Sequence, residues 1–355
     1  MTTRLFSADP EQMRGNIENL IGAAQVPVGV AGPLLVHGEE ADGLFYMPMA
    51  TTEGALIRSY ERGAVALTHA GGVQTALQHD ENHTVPSFAF EDVAAAKAFA
   101  AWLPHRVAEL QAETRESTSH GALTSLACRQ SGRRVLVDFG FSTGDAQGMN
   151  MIVKATDRLC RWICDRYPGA DYLLFSGMCS EKRPSGALFT RGKGKWVSAG
   201  AYLPDRILRL YLHASAGDLL DLWRTTVVGH LQAGTMGYNA HAANGLTAIF
   251  IATGQDVANV ANAACVVTSF EPAPGGLYAS ITLPALTIAT VGGGTSLATQ
   301  REALEVLGCY GAGKAHKFAE IIAATILGGE ISMAAALASG EFVAAHEQYG
   351  RNRPA

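Results

Sequence analysis

Between positions 225 and 300 the chain carries only two formal charges, Asp256 and Glu271. Asp256 comes just after the apolar run Ala248-Ile249-Phe250-Ile251-Ala252, in Gly254-Gln255-Asp256. A carboxylate entering a core must be paired, hydrogen-bonded or held neutral, because desolvation disfavours its charged form. Glu53 is isolated in the same way in Met47-Pro48-Met49-Ala50-Thr51-Thr52-Glu53-Gly54. So is Lys182 in Ser180-Glu181-Lys182-Arg183-Pro184, soon after the apolar run from Tyr172 to Phe175. Any one of them alone is as readily a satisfied structural ion. Three in a charge-poor chain favour an active site, where perturbed ionisable groups cluster.

Other segments suggest ligands. Ser142-Thr143-Gly144-Asp145-Ala146-Gln147-Gly148-Met149-Asn150-Met151 joins a strand to a helix through a glycine-bearing turn. Backbone N–H groups at such a helix start can hold a phosphate or dinucleotide. The segment is not GxGxxG, so a standard Rossmann reading fails, and a plain capped helix with two core methionines is an equal reading. Thr290-Val291-Gly292-Gly293-Gly294-Thr295 is a second turn where backbone can approach a ligand closely. His346, near the end of the chain, becomes functional if the tail folds over a site, as a mobile general acid would.

The elements that must position these groups are legible in outline. The chain has 355 residues, too many for one ordinary core, so two folding units are expected. Charged residues are 17%, and 39 glycines exceed the usual share of about 7%. A net charge of −5 gives no reason to invoke nucleic acid or a membrane surface. Six cysteines without a CxxC pair, and histidines without HExxH spacing, predict reduced thiols in a cytoplasmic protein and no metal site. No signal peptide is read, and the apolar stretches near 248–252 and 321–327 are too short to span a bilayer.

Val26 to Pro33 suggests a strand and turns. Residues 54–70 read as a helix with Thr51 and Thr52 as caps. From 88 to 174 the pattern is strand (88–90), helix (92–116), strands (123–128 and 134–141), helix (145–166) and strand (171–175). That βαββαβ order is the ferredoxin-like split pattern, and it predicts a small domain inserted into a larger one. The larger unit resumes near Ser176, with strands near 196–202 and 281–291 and helices near 205–222. At the end, helices over 314–327 and 331–338 are expected to be separated by Gly328-Gly329.

Taken together, Val26-Pro27-Val28-Gly29-Val30-Ala31-Gly32-Pro33, Met49 to Gly54, Gly144 to Met151, Asn239-Ala240-His241-Ala242-Ala243-Asn244, Gly254 to Asp256 and Thr290 to Thr295 resemble the 3-hydroxy-3-methylglutaryl-CoA (HMG-CoA) reductase family over roughly residues 15–350. The chain is similar to the soluble catalytic portion, without the membrane anchor of animal forms. The resemblance implies an α+β fold. A large acyl-CoA domain (1–87 and 175–355) would carry an inserted ferredoxin-like cofactor domain (88–174), in a homodimer or homotetramer with active sites at the subunit interface. It implies four-electron reduction of a thioester to an alcohol with NADPH, or NADH, through a hemithioacetal and an aldehyde.

By the same resemblance, Lys182 stabilises the oxyanion, Glu53 protonates the aldehyde oxygen, and Asp256 is buried and networked with both. His346 protonates the departing thiolate. Ser59, Arg62, Ser176, Glu181, Arg183 and Asn244 fall on the substrate and CoA side. Ser119, Asp145, Gln147, Gly148, Met149, Asn150, Met151, Gly292 and Gly293 fall on the cofactor side. The chain departs from the family at Ala89, in a loop where animal enzymes place a substrate-binding arginine, and at Thr225 or a neighbour, where a lysine is expected. His120 and Ala23 replace an arginine for the cofactor phosphate and a tyrosine over the CoA base. Arg183 is a candidate replacement cation. Another acyl thioester, CoA- or carrier-protein-bound, is the alternative substrate. A non-catalytic acyl-CoA or nucleotide binder is a third reading.

Overall fold

The protein is described from a computed structural model covering residues 10–118 and 120–343. The chain opens with the antiparallel strands β1 (Val28–His37) and β2 (Asp42–Ala50), then helix α1 (Leu56–His69) and strand β3 (Val73–Thr84). The next elements are β4 (Ser87–Ala89), α2 (Val93–Trp102), α3 (Val107–Ser117), β5 (Ala122–Ser131), β6 (Arg134–Ser142), α4 (Met149–Arg166) and β7 (Asp171–Leu173). The short α5 (Leu188–Arg191) leads to β8 (Gly194–Pro204), α6 (Asp205–Ile207), α7 (Ala216–Ala233), α8 (Ala242–Thr253) and α9 (Val260–Ala263). Strands β9 (Val267–Ala273) and β10 (Gly276–Leu286) precede α10 (Ala298–Val306) and the long α11 (Ala315–Ser339).

The larger part of the sheet runs β2-β1-β3-β8-β10-β9, with β1 and β3 parallel and the other pairs antiparallel. The smaller part runs β7-β4-β6-β5 and is antiparallel throughout. With helices between β4 and β5 and between β6 and β7, this is the βαββαβ arrangement expected from the sequence. Each part has its own core. One gathers around α11, α8 and α1. The other is built around Phe88, Phe90, Phe99, Phe139 and Phe141. Strand β3, which sequence pattern did not reveal, joins them. It pairs with β8 over Gln74–Glu81 and with β6 over Asn82–Thr84.

Four expectations need correction. The helix over 92–116 is broken into α2 and α3 by a single tight turn at Leu103–Arg106, where Pro104 removes a backbone donor. Thr51 and Thr52 do not cap α1; its N-cap is Ala55, with a left-handed φ of 70° and no side-chain cap. Ala89 lies in strand β4, paired with Arg134 and Asp171, not in a loop.

The last correction is that Gly328 and Gly329 do not interrupt the C-terminal helix. α11 runs 25 residues straight through them. A methyl group at Gly329 would overlap the Tyr60 ring, and one at Gly63 on α1 would overlap the Gly328 carbonyl. The glycines therefore serve helix–helix approach rather than helix termination. α11 is long and apolar enough to cross a membrane by composition, yet it is buried between the sheet and its neighbouring helices, as a core helix is.

Candidate active site

The first turn of α1 and the N-terminal end of α8 wall a cleft of about 830 Å³, lined among others by Glu53, Ser59, Arg62, His241, Asn244 and Glu341. Glu53 lies just ahead of α1, and its Oε2 accepts a 2.8 Å hydrogen bond from Asn244 Nδ2. Ser59 and Arg62 face the cleft from the next turns of α1. Arg62 is held by Ser332 Oγ (3.0 Å), the Ser332 carbonyl (2.7 Å) and Glu341 (3.1 Å). Glu341 also pairs with His213 at 2.7 Å. The cleft thus presents a fixed guanidinium and an exposed carboxylate to a polar ligand.

Beneath this mouth lies a residue that sequence reasoning missed. Glu330 of α11 is 3% exposed. Its carboxylate accepts the backbone N–H of Ala240 (2.8 Å) and His241 (2.6 Å), the groups leading into α8. Burial pushes its pKa up to about 7, with the backbone N–H groups of Ala240, His241 and Ala242 pulling the other way. His241 stacks on Tyr60 at 4.9 Å, and burial pushes its imidazole down to about 4. The Tyr60 hydroxyl donates to the His241 carbonyl at 2.8 Å. This buried network fixes the turn that presents Asn244 to Glu53. Its signal in the sequence was an acid inside the apolar run of α11, the same kind of signal that drew attention to Asp256.

Lys182 and Asp256 meet beyond the other end of α8. Lys182 Nζ lies 2.7 Å from Asp256 Oδ2, with side chains 43% and 37% exposed. Asp256 is therefore not the buried residue expected. The apolar run before it is α8 itself, which ends at Thr253, and Gly254 in left-handed conformation turns the chain outward. Lys182 also adopts a left-handed φ of 55°, uncommon for a residue with a side chain. Asp256 is networked with Lys182 but not with Glu53. Among the described residues no hydrogen bond or ion pair joins Glu53 to either one.

Around Lys182 the remaining loop residues have structural partners. Glu181 turns inward to the buried Lys193, at 2.7 Å, instead of toward the cleft. Ser176 donates to the Val85 carbonyl at 2.6 Å. Arg183 is exposed; it donates to the Glu181 carbonyl at 2.9 Å and lies over the Phe175 ring at 5.5 Å. Thr225 bonds the Asp221 carbonyl within α7 and is exposed. Ala23 is exposed as well. Ser119 and His346 lie outside the described residues.

The cofactor candidates converge on the same end of α8. The Asp145 carbonyl accepts from Thr290 N at 2.8 Å, tying the turn before α4 to the Gly292-Gly293 turn. The Asp145 carboxylate accepts from the N–H groups of Gly313 (2.7 Å), Lys314 (3.0 Å) and Ala315 (3.0 Å), at the start of α11. Burial would raise its pKa, but these N–H groups and the charge of Lys195 bring it below its usual range. The Asp145 carboxylate thus ties the turn before α4 to the start of α11. Gln147 has its carbonyl held by Asn82 Nδ2 at 2.9 Å. Gly148 caps α4 in left-handed conformation ahead of Met149, Asn150 and Met151.

Gly292 and Gly293 have φ of 76° and 55°, and a Cβ on either, or on Gly144, would meet nothing within 4 Å. Bare backbone therefore faces open space there, as a turn that receives a phosphate-bearing cofactor requires. Gln255, one residue before Asp256, exchanges hydrogen bonds with the Ala289 backbone (2.7 and 3.0 Å) and so locks this turn beside the Lys182–Asp256 pair.

Comparison with known proteins identifies the family. The family model for hydroxymethylglutaryl-coenzyme A reductase matches residues 2–351. The chain is 43% identical to the 3-hydroxy-3-methylglutaryl-coenzyme A reductase of Pyrococcus horikoshii, over 98% of this chain and 86% of the relative. It is 40% identical to the enzyme of the same name from Methanocaldococcus jannaschii, over 98% and 87%. Among solved structures, the 3-hydroxy-3-methylglutaryl-coenzyme A reductase of Streptococcus pneumoniae superposes with a TM-score of 0.75 at 19% identity, covering 92% of this chain and 88% of that one. A class II structure from the same organism, bound to NADPH in open conformations, gives 0.74 at 19% identity, covering 92% and 89%. At that identity the likeness is one of fold, and the sequence relatives carry the rest: the chain belongs to the HMG-CoA reductase family.

Proposed function

We propose that the protein reduces HMG-CoA to mevalonate and free CoA with two equivalents of NADPH. The carrying observation is the Lys182–Asp256 pair, 2.7 Å apart, beside an open glycine turn that suits a nicotinamide cofactor. When bound, that cofactor supplies hydride. Residues 88–174 form the cofactor domain, with Gly292, Gly293 and the start of α4 as its floor. Residues 1–87 and 175–355 form the acyl-CoA domain, with the cleft beside Ser59 and Arg62 taking CoA.

The protein's own groups manage charge and protons. As hydride reaches the thioester carbon, negative charge develops on its oxygen, and the Lys182 ammonium, held by Asp256, stabilises it. Collapse of the hemithioacetal releases CoA thiolate, and His346 is assigned as its proton donor. The aldehyde then takes the second hydride at carbon while Glu53, oriented by Asn244, delivers a proton to oxygen. Each round consumes two hydrides and two protons.

Glu53 and Asn244 lie at the first turn of α8, and Lys182 and Asp256 beyond its last. A helix of 12 residues spans about 18 Å. One chain therefore carries two half-sites, and a second copy, related by a two-fold axis, completes each. The protein is accordingly assigned as a homo-oligomer.

The test is cofactor oxidation with HMG-CoA and a panel of acyl-CoAs lacking the distal carboxylate, each with NADPH and NADH. Stoichiometric mevalonate and CoA are expected from HMG-CoA. Turnover of another thioester alone would move the substrate, and binding without turnover would make the protein a binder.

A further inference from the structure

Strand β3 carries His79, Glu81 and His83 at alternate positions, and alternate residues of a strand share one face. His79 Nε2 stands 3.3 Å from Glu81 Oε2, and His83 Nε2 stands 3.4 Å from the same oxygen. All three ligand atoms lie within 4.8 Å of one another. Metal–ligand bonds of about 2.0–2.1 Å in a tetrahedral zinc site place neighbouring donors roughly 3.3–3.4 Å apart. Two edges of such a site are already present, and a rotation of the half-exposed His79 ring closes the third.

A second observation points the same way. His83 is 2% exposed, and its Nε2 has no hydrogen-bond partner. An imidazole nitrogen is rarely buried in that condition without a reason. Its other nitrogen, Nδ1, lies 2.9 Å from Asp138 Oδ1. A carboxylate on one ring nitrogen fixes the tautomer, so that the lone pair of the other faces outward; this is the arrangement that supports metal-bound histidines. Asp138 is held in turn by Arg191. Glu81 is 7% exposed, and its second oxygen accepts from the Thr124 hydroxyl. Each buried ligand thus has an outer partner, and His79 leaves an approach from solvent.

We propose that His79, Glu81 and His83 bind a divalent transition metal, and name zinc, which two imidazoles and one carboxylate hold with a fourth position open. The site lies where β3 passes from one part of the sheet to the other. His79 is opposite Trp196 of β8, and His83 is opposite Gly140 of β6. Arg191 links it onward, donating to the Met178 carbonyl at 3.0 Å, four residues before Lys182. Its role is to brace the junction that carries the Lys182 loop. The bond-forming steps proposed above do not need it, so either proposal can fail alone.

The test uses the full chain without an affinity tag. Protein from zinc-supplemented cells should hold one zinc per chain after gel filtration, by elemental analysis. Cobalt exchanged for zinc should give the visible absorption of a tetrahedral nitrogen–oxygen site. Metal-free protein, titrated against a chromophoric chelator with Zn²⁺, Fe²⁺ and Ni²⁺ in separate arms, should bind zinc tightly. Asp138→Asn should weaken zinc by about 10- to 100-fold, and His79→Ala, a half-exposed position that leaves the core intact, by more. Iron bound in place of zinc would keep the site and overturn the choice of metal. No stoichiometric metal with no tight titration, or an affinity unchanged in His79→Ala, would leave the cluster as two imidazoles sharing a carboxylate through protons and overturn the proposal.

Discussion

The two ends of α8 solve opposite problems. At the N-terminal end the polar groups are sealed from below: Glu330 receives the N–H groups of Ala240 and His241, the His241 ring stacks on Tyr60, and Asn244 holds Glu53 at the cleft. At the C-terminal end Gly254 turns the chain outward, and Lys182 and Asp256 pair with more than a third of each side chain exposed. The first end is finished by the chain's own core. The second end is built rigidly, through Gln255 and the Ala289 backbone, yet left open. A charge pair held in place but unsealed is what the proposed site, completed by cofactor, substrate and a second subunit, requires.

The largest effect is expected at the open end. Lys182→Ala should lower the rate of thioester reduction by about 100- to 1000-fold, the usual consequence of losing an oxyanion donor, with folding and cofactor binding intact. Steady-state kinetics beside a cofactor titration measures this. A variant within a few-fold of the parent would remove Lys182 from the chemistry and leave the pair a structural one.

The sealed end should show itself in the pH dependence of stability. Glu330 has its folded pKa raised to about 7 from an ordinary 4.5. Between these values the folded state keeps a proton that the unfolded chain releases, so stability falls as pH rises through that window, by on the order of 3 kcal/mol. His241, lowered from 6.5 to about 4, works in the opposite sense: stability rises as pH climbs from 4 to 6.5. The two nearly cancel in the parent protein. Glu330→Gln removes the falling contribution, so urea unfolding between pH 4 and 7 should show stability climbing with pH more steeply than in the parent. Parallel curves would mean that Glu330 is ionised throughout.

The same contrast explains what the sequence disclosed. Isolation of a charge in an apolar context drew attention to Glu53, Lys182 and Asp256, and the structure puts Lys182 and Asp256 together. The logic of desolvation, however, applied to Glu330 and not to Asp256. Whether an acid after an apolar run is buried depends on where the helix ends, and Gly254 ends it two residues earlier. The βαββαβ order was readable because its periods are local. Strand β3 was not, because Gln74-Thr75-Ala76-Leu77-Gln78-His79-Asp80-Glu81-Asn82-His83 is mostly polar, its first half is exposed or half-exposed, and Glu81, Asn82 and His83 are buried only by contacts made in three dimensions. That same polarity hid the His79-Glu81-His83 face from a search for helical ligand spacing. Gly328-Gly329 misled in the other direction, since the partner helix that explains them lies some 270 residues earlier in the chain.

Arg183 sharpens the question of substrate. It is the exposed cation beside Lys182, steadied by the Phe175 ring and the Glu181 carbonyl. Ala89 offers no substitute, being fixed in strand β4. A charge-assisted hydrogen bond to a carboxylate contributes about 1.5–3 kcal/mol. If Arg183 anchors the distal carboxylate, Arg183→Ala should raise KM for HMG-CoA by about tenfold or more and leave an acyl-CoA without that carboxylate unaffected. An equal change for both thioesters would place its role in the loop instead.

The smallest effect in size bears most directly on the comparison. Glu53→Gln and Lys182→Ala variants should each be nearly inactive as pure proteins. If both half-sites of one chain served the same active site, mixing the variants would restore nothing, because every site would lack one residue. If each site takes Glu53 from one subunit and Lys182 from its partner, a mixed dimer has one site missing both residues and one missing neither. Random exchange makes half the dimers mixed, so about a quarter of the parental activity should return under two-fold symmetry. The measurement is activity after denaturing and refolding the variants together, against each refolded alone, with gel filtration confirming assembly. Recovery near a quarter would establish that the open end of α8 is closed by the sealed end of its neighbour; mixtures as inactive as their parts would require Glu53 and Lys182 to meet within one chain, through a movement of the Ser180–Pro184 loop across the length of α8.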